Sequence, residues 1–248
     1  MSLLVLFDLD GTLLDGGGLP GAMRATCESL ASELPGGTAD ALVAANTSTW
    51  QRVWPDVEDD YMLGGRSGDE IGRDVWRQTL AACGVRGDDV LDRAVTEWLR
   101  QERAALRLYP DVLPTLDRLE RRGIRLGMVT NGAAAVQRRK VAAVGLAGRL
   151  DPLVVSGDVG VRKPDRAIFD DALERAGTLA ADALFVGDHR WHDLLGAQEA
   201  GIGTVWLDRA GVGLDGTGPT PDLTIRTLAD LPAFADPQRH EDTPRSGA

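Results

Sequence analysis

The chain opens on a short, uninterrupted apolar run, Leu3–Phe7 (LLVLF), which stops at Asp8. Five apolar residues bounded by a turn signal read as a buried strand, so residues 1–15 are a strand and a turn. From Leu19 to Leu108 the period changes. GAMRATCESLASEL, ADALVAANTSTWQRVW, DEIGRDVWRQTLAACG and DDVLDRAVTEWLRQERAAL repeat apolar residues at three- and four-residue spacing, which predicts helices. Gly and Pro punctuate them at Pro35-Gly36-Gly37, Gly64-Gly65 and Gly84 to Gly87. This block contains no convincing strand.

After Tyr109-Pro110 helix and strand alternate. Helices are predicted over 111–122, 133–144, 165–177 and 190–201, each preceding an apolar run: IRLGMVT, LVVSG, ALFVG and GTVWL. LTIRT reads as a last short strand, followed by a helix over 227–234. Helix then strand, repeated, is the pattern of right-handed crossovers that build a parallel sheet. The expected architecture is an α/β core from residues 1–15 and 109–235, with a helical insert over 16–108 entering behind the first strand. Residues 236–248 are polar and predicted to be disordered.

Ligands of an open parallel sheet bind outside the carboxyl ends of its strands. Behind LLVLF comes Asp8-Leu9-Asp10-Gly11-Thr12, and behind IRLGMV comes Thr130-Asn131-Gly132. Behind LVVSGDVGV comes Arg162-Lys163-Pro164-Asp165, and behind ALFV comes Gly187-Asp188, with Asp193 five residues on. Four segments thus bring carboxylates, a hydroxyl, an amide and an ammonium to one edge. Asp8, Asp10 and Asp188 or Asp193 would repel one another and raise their pKa values unless a cation sat among them. A hard divalent ion with oxygen ligands fits, and Mg2+ takes one or two carboxylates plus substrate phosphate and water. Thr130, Asn131 and the N–H groups opening the next helix suit an anion. This set points to phosphoryl transfer, in which one aspartate attacks and a second moves protons.

Composition narrows the partners. The 248 residues carry a net charge of −11, which argues against a nucleic-acid backbone as the main partner. Of 27 basic residues only Lys140 and Lys163 are lysines, so Lys163 suggests a need for a compact ammonium. Arg138-Arg139-Lys140 reads as a helix end, where cations favour the dipole. Cys27 and Cys83 lack metal-type spacing and cannot form a disulfide framework. The start MSLLVLFD has no basic n-region, and no stretch is long and apolar enough for a membrane span. A cytoplasmic protein with no membrane partner is expected.

Asp8-x-Asp10-Gly11-Thr12, Thr130-Asn131-Gly132, Lys163-Pro164-Asp165 and Gly187-Asp188-x4-Asp193 resemble, in order, the four motifs of the haloacid dehalogenase-like (HAD) hydrolases. The resemblance implies a doubly wound Rossmannoid sheet, a helical cap inserted after the first strand, and Mg2+ dependence. It implies that Asp8 is the nucleophile and Asp10 the general acid/base. Asp8, the Asp10 backbone carbonyl and Asp188 would bind the metal, with Asp193 acting through water. Thr130 and Asn131 would hold the phosphoryl group and Lys163 would pair with Asp8. The Thr-Asn-Gly form, with RKPDRAIFDDALERAG behind it, is similar to small-molecule phosphatases, so a small phosphorylated metabolite is the expected substrate. His189 stands where many of these proteins carry Ser or Thr.

A haloacid dehalogenase or a phosphomutase of the same fold is the enzymatic alternative. Asp10 argues against the first, because a departing halide needs no proton. A receiver-like phospho-accepting module is the non-enzymatic one, but its nucleophile is expected on a later strand. Two histidines, His189 and His192, without a third ligand make a weak zinc site. Trp50, Trp54, Trp76 and Trp98 read mainly as the insert's own core, with one closing over substrate as the minor alternative. Arg66, in the loop Leu63–Gly68, is a further candidate contact.

Overall fold

The first strand earns its central place by lacking any polar side chain. In the computed structural model, which describes residues 3–31 and 38–233, β1 (Leu4–Phe7) is buried along its whole length. Two residues, Leu14–Asp15 (β2), follow a tight turn. Four helices come next: α1 (Leu19–Leu30), α2 (Ala39–Leu63), α3 (Gly68–Ala82) and α4 (Asp88–Ala105). The chain returns through β3 (Arg107–Leu108), which pairs antiparallel with β2. It then runs α5 (Val112–Arg121), β4 (Arg125–Thr130), α6 (Ala134–Ala143), β5 (Leu153–Val155), α7 (Ser156–Val159), α8 (Arg166–Ala176) and β6 (Ala183–Gly187). A π turn over Arg190–Leu194 leads into α9 (Leu195–Glu199), β7 (Gly203–Leu207) and β8 (Leu223–Ile225), and a 3-10 segment spans Leu228–Ala233.

The six-stranded sheet has the order β5-β4-β1-β6-β7-β8, and every pairing in it is parallel. Alternate side chains of β1 enter different cores. Val5 and Phe7 join residues of α5 and α6, while Leu4 and Leu6 join Ile168, Phe169 and Ala172 of α8 and Ala197 of α9. Helices therefore cover both faces, and the fold is a doubly wound α/β sheet. Strand order reverses at β1, between β4 and β6. That places the crevice of a doubly wound sheet directly beyond Phe7.

The four helices between β2 and β3 pack on an apolar cluster of their own, formed by Cys27, Leu30, Leu42, Trp76, Leu80 and Leu91 among others. Each start and stop follows from local chemistry. The Thr38 hydroxyl accepts from Ala41 N to open α2, and Gly64, at φ +81°, closes it. Ser67 and Glu70 form a reciprocal capping box at the start of α3. Pro55 lies inside α2 but is exposed, so water can reach the carbonyl that loses its partner. This lets α2 run nine residues beyond Trp54, where the periodic pattern ends.

Several expected bounds shift. LVVSG is a strand only to Val155, since residues 156–159 turn helical and stop at Gly160, at φ +72°. The helix expected over 190–201 opens as a π turn over Arg190–Leu194; at its start Asp193 N bonds His189 O at 2.8 Å and the Asp193 side chain accepts from His189 N. The last helix is a 3-10 segment whose start is tied down by Asp111. The β2–β3 pair was not foreseen. The predicted disorder over 236–248 lies outside the described residues.

Candidate active site

Asp8 continues the ladder of β1, with its N–H on Val186 O at 3.0 Å, so its carboxylate emerges at the strand end yet stays buried. The turn beyond it closes through Leu13 and Leu14 N–H bonds to Leu9 O. Gly11 is required there twice over. Its φ is +85°, and an added Cβ would lie 2.4 Å from Asp188 Oδ2. The Thr12 hydroxyl then reaches Asp188 Oδ1 at 3.2 Å. Gly187 has the same purpose on β6, since a Cβ there would meet Asp193 Oδ2 at 2.3 Å.

Lys163 draws two of these carboxylates together. Its Nζ lies 2.6 Å from Asp8 Oδ1 and 2.6 Å from Asp193 Oδ1, and all three residues are buried. Burial pushes the Asp8 carboxyl above its ordinary pKa, aided by Asp193 and Asp10 and opposed by Lys163. Burial likewise raises Asp188, again with Asp193 adding to the shift. Lys163 moves upward instead, because the attraction of Asp193 and Asp8 outweighs its own desolvation. Asp193 Oδ2 is occupied by His189 N at 2.9 Å.

The Asn131 amide bonds both ends of one residue's backbone. Its Oδ1 accepts from Lys163 N at 2.8 Å and its Nδ2 donates to Lys163 O at 2.9 Å. These two bonds fix the Lys163 peptide. Thr130 is buried, and its hydroxyl accepts from Gln137 Nε2 at 2.8 Å.

Asp10 faces elsewhere. Its half-exposed carboxylate meets Lys140 Nζ at 2.9 and 2.8 Å and accepts from Gln137 Nε2 at 3.0 Å. Sequence reasoning missed both partners, reading Lys140 only as a helix-end cation. The signal was available, because Lys140 is the other lysine in a chain of arginines. It also sits three residues from Gln137, on one face of α6.

Asp8, Asp188 and Asp193 offer oxygens within 4.8 Å of one another, and among the described residues this is the one such cluster of potential metal ligands. Neither His189 nor His192 belongs to it. Their rings stack on each other with centroids 4.1 Å apart. Arg66 pairs with Asp74 at 2.6 Å. The three carboxylates carry three negative charges against one ammonium, and a dication would balance the remainder. The hard oxygen donors of the cluster fit Mg2+.

A profile of the haloacid dehalogenase-like hydrolases matches residues 3–201. The chain belongs to that family. A phosphoserine phosphatase of Thermus thermophilus is 35% identical over 157 residues, covering 63% of this hydrolase and 62% of that enzyme. The hydrolase thus spans under two thirds of that relative's length. A phosphoglycolate phosphatase of Yersinia pseudotuberculosis is 31% identical over 237 residues, or 94% and 93% of the two chains. Among solved structures, a 2-haloacid dehalogenase from Pseudomonas syringae pv. Tomato DC3000 superposes with a TM-score of 0.72 at 30% identity, over 94% of the hydrolase and 97% of that chain.

Proposed function

We propose that this hydrolase is an Mg2+-dependent phosphatase of small-molecule phosphomonoesters, acting through an aspartyl-phosphate on Asp8. The observation that carries the reading is the division of the carboxylates. Asp8 is buried against Lys163 in a cluster suited to a dication, while Asp10 stands apart on Lys140 and Gln137. A nucleophile and a separate proton carrier are what ester hydrolysis demands. A dehalogenase of this fold needs neither the second acid nor the cation.

An Asp8 oxygen attacks phosphorus, and the bond to the leaving oxygen breaks as Asp10 delivers a proton to that oxygen. Asp10 then takes a proton from water, whose oxygen attacks phosphorus and frees Asp8 and inorganic phosphate. Lys163 holds Asp8 oriented for both steps, and Asn131 holds Lys163. Thr130 and the N–H groups opening α6 are the donors for the phosphoryl oxygens. Mg2+, held by Asp8, Asp188 and the Asp10 carbonyl, with Asp193 acting through water, would neutralise charge developing on phosphate. The helical segment 16–108 serves as a cap that excludes water during the first transfer.

The test is hydrolysis of p-nitrophenyl phosphate by the full chain. Activity should require Mg2+ and vanish in EDTA. Asp8→Asn should abolish turnover, and Asp10→Asn should lower kcat by about 10²- to 10⁴-fold. Near-normal activity of Asp8→Asn would overturn the mechanism. Halide release from a 2-haloacid in EDTA, without phosphatase activity, would establish the dehalogenase instead.

A further inference from the structure

A cavity of about 560 Å³ opens between the helical segment and α6. Its walls include Met23, Trp50, Tyr61, Trp76 and Trp98, and Val136 and Arg139 of α6 close it from the sheet side. Trp50 and Trp54 are not members of the apolar cluster that holds α1–α4 together, and both stay half-buried. The four tryptophans therefore divide: Trp76 and Trp98 build the helical core and also face the cavity, while Trp50 faces it from outside that core.

This cavity lies beside the proposed proton carrier. On α6, Gln137 and Lys140 hold Asp10, and the residues just before each of them, Val136 and Arg139, line the cavity. Leu99, Glu102 and Arg139 also line an adjoining space of about 460 Å³ that Lys140 faces. The electrostatics agree. Burial lifts the Tyr61 hydroxyl to about 12, with the charge of Asp10 as the next cause.

The charged groups of the cavity wall are unequal. Arg139 is paired bidentately with Asp69 at 2.7 and 2.9 Å, Arg73 with Asp92 at 2.6 Å, and Glu70 caps α3. The Glu102 carboxylate alone among these has no hydrogen bond or ion pair within the described residues. Burial raises its pKa, and Lys140 and Arg139 draw it back. The cavity is thus large and mostly apolar, with its arginines neutralised and one carboxylate left over.

Building on the phosphatase reading, we propose that this cavity receives the leaving group, and that the leaving group is a bulky apolar or aromatic alcohol that is neutral or cationic. An acidic leaving group would meet Glu102 without a free cation to offset it. A two-carbon acid would leave most of the volume empty and forfeit its dispersion contacts. Aromatic walls favour a flat partner, through offset stacking. The same carboxylate would accept a hydrogen bond from a hydroxyl or amine on that partner.

The experiment compares kcat/KM of the Mg2+-loaded full chain on phenyl, 1-naphthyl and 4-carboxyphenyl phosphate and on phosphoglycolate. The naphthyl ester should be preferred, and the carboxylated esters should fall below phenyl phosphate by about tenfold or more. Glu102→Gln should shrink the phenyl-to-carboxyphenyl ratio to about twofold. Trp50→Ala should raise KM for naphthyl phosphate about fivefold without a matching rise for phosphoglycolate. Equal or better turnover of phosphoglycolate, or an unchanged ratio in Glu102→Gln, would overturn the proposal. A second readout does not depend on turnover: 1-naphthol should quench tryptophan fluorescence saturably, and less so in Trp50→Ala. Quenching without hydrolysis of any phosphomonoester would sink the phosphatase reading and keep the cavity. Hydrolysis without quenching or preference would do the reverse.

Discussion

Lys140 grips the Asp10 carboxylate at both oxygens, 2.9 and 2.8 Å away, across 130 residues of sequence. Asp10 is half-exposed, so this pair adds little to stability in water. On the proposed mechanism its effect falls on orientation, because the proton carrier of a two-step transfer must start from one position. Lys140→Met should lower kcat about tenfold. Its Tm should stay within about 2 °C of the parent. Steady-state kinetics beside a thermal melt checks both. An unchanged kcat would show that Gln137 suffices to place Asp10.

Lys163 differs because its pair is buried. Removing the ammonium leaves Asp8 and Asp193 facing each other without a counter-charge, and breaking a buried pair from one side costs about 3–5 kcal/mol. Lys163→Met should therefore melt about 10 °C lower as well as lose activity. The deficit should be largest in EDTA and smaller in Mg2+, since a dication supplies part of the missing positive charge. Equal deficits in the two buffers would argue against a metal beside Asp8.

The convergence of the candidate site residues on one sheet edge was legible because each of its pieces is local. A strand, then Asp8; a strand, then Thr130; a strand, then Asp188: the sheet rule brings these ends together without knowledge of the packing. For Asp10 the sequence singled out Lys140 as the other lysine but not its contact, since Gln137 and Lys140 lie on a helix whose rotation about its axis only the packing decides. The contact of Asn131 with the Lys163 peptide was hidden for a related reason. An amide behind a strand looks like an anion donor, and only the fold shows the Lys163 peptide within its reach. The short β2–β3 pair carries no periodic signal at two residues per strand. The half-burial of Trp50 was hidden because helical spacing reports a face and not what covers it.

The metal-free protein should have an inverted pH dependence. Burial, with Asp193, holds Asp188 above its ordinary value, and burial with Asp193 and Asp10 pushes Asp8 up to about 7 despite Lys163. A carboxyl whose folded pKa is raised binds its proton more tightly in the folded state. Its contribution is most favourable below the unfolded value and is lost as pH rises through the folded one. In EDTA, Tm should fall from about pH 4 to about pH 7 and level off above. Saturating Mg2+ should flatten that slope by binding the ionised forms. A metal-free Tm that rises across this window would contradict the burial of uncompensated charge.

Gly11→Ala tests the tight approach of the first loop to β6. The new Cβ would sit at φ +85° and 2.4 Å from Asp188 Oδ2, so both the turn and the carboxylate must move. The Mg2+ concentration for half-maximal activity should rise about tenfold or more. Gly16→Ala, where a Cβ meets nothing within 4 Å, is the matched control and should change it little.

Arg209 joins the places where the chain leaves the sheet for the helical segment and returns from it. It donates to Thr12 O at 2.9 Å, pairs with both oxygens of Asp111 at 2.9 and 3.1 Å, and stacks on Tyr109 with its guanidinium 3.8 Å from the ring centre. Burial works against the ionised Asp111, but Arg209, Thr227 and Leu228 N together hold its pKa below the usual carboxylate range. Such a group stabilises the fold above the unfolded carboxylate value, and its contribution is lost as pH falls through the lowered one. Arg209→Met strands part of that network and should cost about 2 kcal/mol. At this chain length that is a Tm lower by about 4–8 °C near neutral pH. The loss should shrink below about pH 4, as Asp111 takes up its proton. Because Thr12 also carries the bond to Asp188, the variant should need more Mg2+ for half-maximal activity. A stability loss without that shift would mean the clamp serves the joint alone and not the site.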